Sequence, residues 1–318
     1  MAIVDRQTNG DLMKIAITGA TGFVGTRLVE RLHNEGHQLI VFSRSANKAQ
    51  KVFPASAFPN LEVVAYTPTE SGAWQQAISG CDGVVNLAGE PIAEGRWTPE
   101  QKQKIIQSRQ FGTQKIVEAI AQANPKPAVL VNASAIGYYG TSETATFEES
   151  SSAGNDFLAE VCQTWETEAE KVKPTGTRLV ILRLGIVLGK GGALGKMLPI
   201  FQIFAGGTIG SGQQWVSWVH RDDVVNLIIL ALQQPQVEGI LNATAPKPVR
   251  MNEFCQTLGE VLHRPSWLPV PGFAIEVLLG EAAKVVLEGQ EVLPKKTLSS
   301  GFEYKFPTLK PAVEEILS

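Results

Sequence analysis

The stretch Lys14 to Gly25, KIAITGATGFVG, decides how this 318-residue chain is read. Ile15 to Thr18 make a short apolar, β-branched run of the kind that fills a buried parallel strand. Gly19, Gly22 and Gly25 follow in GxxGxxG spacing, and from Phe23 onward Val24, Leu28, Val29 and Leu32 recur on one helical stripe. A strand that turns through glycines into a helix aims backbone N–H groups and the positive helix end at one point, which suits a pyrophosphate. Gly19 is expected to permit the tight turn, Gly22 the close approach of phosphate, and Gly25 the packing of helix on strand. Thr21, Phe23 and Val24 belong to the same turn and join the glycines as expected cofactor contacts. In this strand-to-helix context the spacing predicts dinucleotide binding.

The rest of the composition narrows the class. The chain is 44% hydrophobic and 19% charged, an ordinary globular balance. Its net charge of −3 and pI near 5.9 offer no basic field for nucleic acid or anionic lipid. Cys81, Cys162 and Cys255 lie far apart with no metal-ligand spacing, and read as reduced, small buried residues in a cytoplasmic setting. No apolar stretch approaches the roughly 20 residues of a membrane span. Residues 1–12 are polar and are expected to form a disordered extension before the fold.

Strand-like and helix-like segments alternate over residues 13–245. Strands are expected at Gln38 to Phe42, Leu61 to Ala65, Gly83 to Leu87, Ala128 to Asn132 and Arg178 to Leu184, with helices at Ser71 to Ser79 and around Phe157 to Lys171. Thr98, Pro99 and Gln101 mark the capped start of a long helix that runs to about Ala123. Repeated β-α units imply a doubly wound parallel sheet covered by helices, with its ligand at the carboxyl ends of the strands. The glycine-rich runs 189–196 and 205–214 read as ordered loops near the site, and 246–318 as a small, mostly helical cap region.

The end of the second strand selects the cofactor. An acid there binds a free ribose 2′-hydroxyl, whereas an arginine accommodates a 2′-phosphate. QLIVF ends in Ser43, Arg44 and Ser45 with no acid at the place. Arg44 can fork onto phosphate oxygens while the serines donate hydroxyls, so NADP is favoured over NAD.

TGATGFVG, NLAG (86–89) and Ser134 followed by Tyr139-Gly140 resemble an atypical or extended short-chain dehydrogenase/reductase. The stretches 88–109, 182–201, 215–223 and 287–307 are similar to one branch, the NAD-dependent epimerase/dehydratase-like proteins of the epimerase family 39U1-like group. The resemblance implies a Rossmann-like fold, NADP binding with Leu87, Ala88 and Gly89 at the cofactor, and a poorly defined substrate. The leading expectation is an NADP(H)-dependent oxidoreductase or nucleotide-sugar-epimerase-like enzyme acting on a small hydroxyl- or carbonyl-bearing metabolite. Relatives in photosynthetic lineages are described as cell-division inhibitors, so it also admits a non-catalytic, NADP-binding regulator with a protein partner.

That superfamily works with a Tyr acid/base and a Lys four residues on, because a phenol of pKa about 10 is a poor base at neutral pH. No YxxxK occurs in this sequence. By register, Phe157 or Leu158 stands for the Tyr and Val161 or Cys162 for the Lys. Ser134 keeps the serine position if aligned by its strand; aligned through Tyr139-Gly140 the position becomes Ala135. Tyr139 is the best substitute hydroxyl or a packed aromatic, and Glu90 is a candidate base at the nicotinamide end of the cleft. His220 reads as a proton donor or as a residue at the cap of the following helix. Trp97, Trp215 and Trp218 are candidates for the pocket wall. The exposed acids Glu143, Glu148 and Glu149 would suit the regulator.

Overall fold

A computed structural model describes residues 12–318; the extension expected over 1–12 lies outside the described residues except for Leu12. In chain order the strands are β1 (Lys14–Thr18), β2 (Gln38–Ser43), β3 (Leu61–Ala65), β4 (Gly83–Asn86), β5 (Val129–Ala135), β6 (Thr146–Phe147) and β7 (Arg178–Leu184). They continue with β8 (Ile186–Gly189), β9 (Trp215–Val216), β10 (Trp218–His220), β11 (Gly239–Ala243), β12 (Val249–Arg250) and β13 (Glu291–Val292). Helices α1 (Phe23–Asn34), α2 (Ala46–Val52), α3 (Pro99–Gln122), α4 (Phe157–Glu170), α5 (Gly192–Gln202) and α6 (Arg221–Gln233) cover the first part. Helices α7 (Met251–Leu262), α8 (Gly272–Leu279), α9 (Lys284–Leu287), α10 (Lys295–Ser299) and α11 (Leu309–Leu317) belong to the last.

Seven of the strands form one sheet in the order β11-β7-β5-β4-β1-β2-β3, and every pairing in it is parallel. Apolar residues on both faces explain why it is buried between helices. Ile15, Ile17, Val41 and Val131 pack under α1 and α6, through Leu28, Val29, Leu32, Val224 and Ile228. Ala16, Ile40, Val84 and Leu130 point the other way, toward Ile116 and Ile120 of α3 and Ala169 of α4. A third core joins Leu188, Leu194, Phe201 and Trp218 to Phe254, Leu258, Val313 and Ile316 of α7 and α11.

Several sequence expectations need correction. The sheet has a seventh strand, β11, for which the sequence carries no signal: GILNA begins with a glycine and is too short to show a period. Ser71 to Ser79 is a 3-10 turn over Ala73–Ile78 rather than an α-helix. Of the run 189–196 only Lys190 and Gly191 lie between elements: Gly189 ends β8 and α5 starts at Gly192, because burying Leu194 and Phe201 overrides the low helix propensity of glycine. The run 205–214 is irregular apart from one isolated bridge at Ile209, as expected of a loop.

Candidate functional site

The glycine turn has the geometry its spacing implies. Gly19 sits at φ +68°, and a Cβ there would meet the Leu87 carbonyl carbon at 2.7 Å. A Cβ on Gly25 would lie 2.3 Å from the Gly19 carbonyl oxygen, so helix and turn touch only because the side chain is absent. The Gly22 N–H donates to that same oxygen at 2.9 Å. Helix α1 then begins with no side-chain cap and no acid in its first turn, which leaves its positive end to an anion. Thr18 pins the neighbouring loop: its hydroxyl donates to Asn86 Oδ1 at 2.6 Å and accepts the N–H groups of Leu87 and Ala88 at 3.2 and 3.3 Å. The turn and the β4 loop, both expected at the cofactor, are thus brought together. Val24 is partly buried and packs against the core. The Phe23 ring lies where Cβ atoms on Gly189 and Gly192 would meet it at 2.9 and 3.1 Å, which explains those glycines. The residues present fit a dinucleotide pyrophosphate.

At the end of β2, Ser43 Oγ donates to the Ser45 carbonyl at 2.9 Å and accepts the Ser45 N–H at 3.2 Å. Ser45 Oγ accepts the Lys48 N–H and caps α2. Both serine hydroxyls shape the turn, where the sequence had them donating outward. Arg44 is exposed between them and has no ion-pair partner among the described residues. It faces Tyr66, whose hydroxyl is pushed up to about 12 by burial while Arg44 pulls it down.

A chamber of about 480 Å³ opens at the carboxyl ends of β5 and β7. Ala135, Ile136 and Tyr139 line one side, Phe157, Leu158, Val161, Cys162 and Trp165 of α4 another, and Lys284, Glu288 and Gln290 the far side. Positions where relatives would carry Tyr and Lys are therefore in the chamber, filled by apolar side chains and a thiol. Burial pushes the Cys162 thiol up to about 11, so it stays protonated. The far side is tied on by Gln290, whose Nε2 donates to the Ile136 carbonyl at 2.9 Å, and by Ser217 Oγ, which donates to the Gln290 carbonyl at 2.7 Å. Strand β13 pairs with β6 just beyond.

Beneath the chamber floor runs a buried polar row set by strand register, Ser134↔Arg183↔Asn242. Ser134, 1% exposed, donates to Glu166 Oε1 at 2.6 Å, and Arg183 holds both oxygens of Glu166 at 2.9 and 2.8 Å. Burial works against the Arg183 charge, but Glu166 outweighs it and holds its pKa above the ordinary value. Tyr139 accepts from Arg183 Nη1 at 3.0 Å and donates to Asn242 Oδ1 at 2.7 Å. Burial raises the Tyr139 pKa and Arg183 opposes it, so the phenol is neutral at pH 7. Tyr139 lines the chamber; Ser134 and Glu90 do not. Glu90 is half-buried in the β4 loop, its N–H donating to Ser108 Oγ and its carbonyl accepting from Arg109.

Other candidates fall elsewhere. His220 is the N-cap of α6, accepting the Asp222 N–H at 3.1 Å, and lies outside the chamber. Trp97 and Trp215 do line the chamber, but Trp218 is fully buried in the third core and donates to the Lys247 carbonyl. Trp165, unread in the sequence, replaces it. Glu148 and Glu149 are half-buried: Glu148 pairs with Lys295, and Glu149 accepts the N–H groups of Asn242, Lys296 and Thr297. Of the three acids, only Glu143 is exposed.

The doubly wound parallel sheet and its glycine turn define a protein of the Rossmann-like, dinucleotide-binding class. More specifically, the chain belongs to the NAD dependent epimerase/dehydratase family, whose model matches residues 15–243. Residues 270–316 match a second model, a domain of unknown function designated DUF1731. The chain is 52% identical over 308 residues to the chloroplastic epimerase family protein SDR39U1 homolog of Arabidopsis thaliana, covering 96% of this chain and 87% of that one. It is 39% identical over 307 residues to epimerase family protein YfhF of Bacillus subtilis, covering 96% and 98%. The crystal structure of human epimerase family protein SDR39U1 (isoform 2) with NADPH superposes with a TM-score of 0.85 at 35% identity, over 96% and 99% of the two chains. A UDP-glucuronic acid 4-epimerase from Bacillus cereus, at 16% identity and a TM-score of 0.77, shares the fold alone.

Proposed function

We propose that this chain is an NADP(H)-dependent oxidoreductase or epimerase-like enzyme acting on a small hydroxyl- or carbonyl-bearing metabolite held in the chamber. The observation that carries the reading is continuity: the β4 loop lies against Gly19 at one end and, through Gly89, against Arg109 of the chamber wall at the other. The pyrophosphate would rest on Gly19, Gly22 and the start of α1, Leu87 to Gly89 would follow the cofactor, and Arg44 would receive a 2′-phosphate. Bound NADP(H) supplies the redox chemistry. The chain's own residues then orient and enclose. Apolar side chains of α4 exclude water, and Tyr139 holds a proton at the chamber wall, its oxygen fixed by Arg183 and Asn242. Ser134 acts as a positioning residue through Glu166 and Arg183, and the candidate base Glu90 sits in the β4 loop itself. Three free, buried cysteines accord with a reducing, cytoplasmic compartment.

A second reading, a non-catalytic NADP-binding regulator, is favoured by one observation: Ser134 and Tyr139 both give their protons to protein acceptors. Titration with NADPH, NADP and NADH, paired with a carbonyl screen that follows nicotinamide oxidation, separates the two. Turnover supports the enzyme; tight NADPH binding without turnover on any carbonyl sinks it in favour of the regulator.

A further inference from the structure

Two buried donors on one wall of the chamber lack acceptors. Arg109 is 8% exposed, and its Nε meets no acceptor among the described residues. Nη1 donates to the carbonyls of Glu90 and Ile105 at 2.9 and 3.2 Å, and Nη2 has no acceptor among the described residues. Trp165, 5% exposed, has an equally unpartnered Nε1, and the Arg109 guanidinium carbon lies 4.9 Å from its ring centre. The same molecule shows how it treats a buried guanidinium when the protein itself supplies the anion: Arg183 is bidentate on Glu166. Among the described residues no acid does this for Arg109: burial lowers its pKa and the charge of Glu90 works against that, but of Glu90 only the backbone carbonyl is hydrogen-bonded to the guanidinium. The acids of the chamber are engaged at other points: Asp156 caps α4, Glu281 pairs with Lys102, and Glu288 accepts from Thr141. Gly89 leaves the guanidinium room, since a Cβ there would meet its central carbon at 2.9 Å.

We propose that the chamber binds an organic anion, a carboxylate or a phosphate received by the Nε–Nη2 edge of Arg109, with its apolar body against Trp97, Phe157 and Val161. This rests on the reading of the chamber as the substrate site and names the substrate's chemical class. A buried cation with no hydrogen-bonded acid is costly, and an anionic ligand supplies the missing partner. The planar fork matches two oxygens of one group, and the apolar walls strengthen the pairing by excluding water.

The test uses the full chain, with and without NADPH, titrated with benzoate, phenyl phosphate and uncharged benzamide by ligand-observed NMR. At least one anion is expected to bind about tenfold or more tighter than benzamide, and which one wins distinguishes carboxylate from phosphate. Arg109→Gln should erase that preference while NADPH affinity holds, and Trp165→Phe should weaken it with the charge intact. Equal binding of anions and benzamide, no anion binding, or an undiminished preference in Arg109→Gln overturns the proposal. So does an Arg109→Gln protein that loses NADPH affinity and keeps the anion preference, for the guanidinium would then serve the cofactor. Should Arg109→Gln fail to fold, the native preference and Trp165→Phe decide. Because binding is read without turnover, anion binding in a protein that reduces no carbonyl would strike only the enzyme reading.

Discussion

The hydroxyl proton of Ser134 belongs to Glu166. Their oxygens lie 2.6 Å apart, buried between β5 and α4, and the accepting oxygen is the one that also takes Arg183 Nε at 2.9 Å. A serine at the end of the fifth strand is thus built into a buried ion pair rather than presented to a ligand.

Ser134→Ala should therefore lower stability by ~1–3 kcal/mol, the cost of removing a partner from a buried acceptor, and leave NADPH affinity unchanged. Glu166→Gln should cost more, ~3–5 kcal/mol, because it strands the Arg183 charge. Urea denaturation and a fluorescence titration check both. A Ser134→Ala protein with native stability would show that the bond is not made.

Gly22→Ala separates binding from folding. Its backbone, φ −82° and ψ 180°, is open to any residue, and a Cβ would approach only the Gly19 carbonyl, at 3.1 Å. Stability should stay within about 1 kcal/mol while NADPH affinity falls about tenfold or more, because the methyl occupies the phosphate's place. Undiminished affinity would remove the pyrophosphate from the turn.

Arg44→Asp should abolish the preference for NADPH over NADH, a change of about tenfold or more in the ratio of their dissociation constants. It replaces the 2′-phosphate partner with the acid that suits a free ribose. An unchanged ratio would take Arg44 out of the cofactor site.

His220 makes stability depend on pH. Burial lowers its pKa, against the pull of Glu315, Asp222 and Asp223. The fold then prefers the neutral ring, so the unfolded chain binds the proton more readily. Its contribution is complete above the unfolded value of about 6.5 and is lost as pH falls below it. Denaturation midpoints between pH 7.5 and 5.5 should fall less steeply in His220→Asn; an equal slope would clear His220 of the effect.

What the sequence revealed was what local pattern controls. The GxxGxxG turn, the Thr98 cap that accepts the Gln101 N–H at 3.2 Å, and the apolar strands are each set within a dozen residues. The row Ser134, Arg183 and Asn242 is set by register between strands far apart in the chain, and no periodicity reports it. Arg109 carries a legible signal of its own. It follows Ile105 by four residues on the buried stripe of α3, a charge where an amphipathic helix should be apolar. Glu148 and Glu149 misled because an acidic pair in a polar stretch looks solvated, whereas Glu149 holds α10 against the sheet.

The contacts of Gln290 with Ile136 and Ser217 make the chamber a joint between the early strands and the last quarter of the chain. A ligand seated there touches both, so its binding energy opposes the unfolding of each. Occupancy at a hundred times the dissociation constant adds about 2.7 kcal/mol to whichever transition separates those walls. The natural substrate can therefore be sought by its effect on melting temperature, ranking candidate metabolites against the NADPH-loaded protein before any reaction is known.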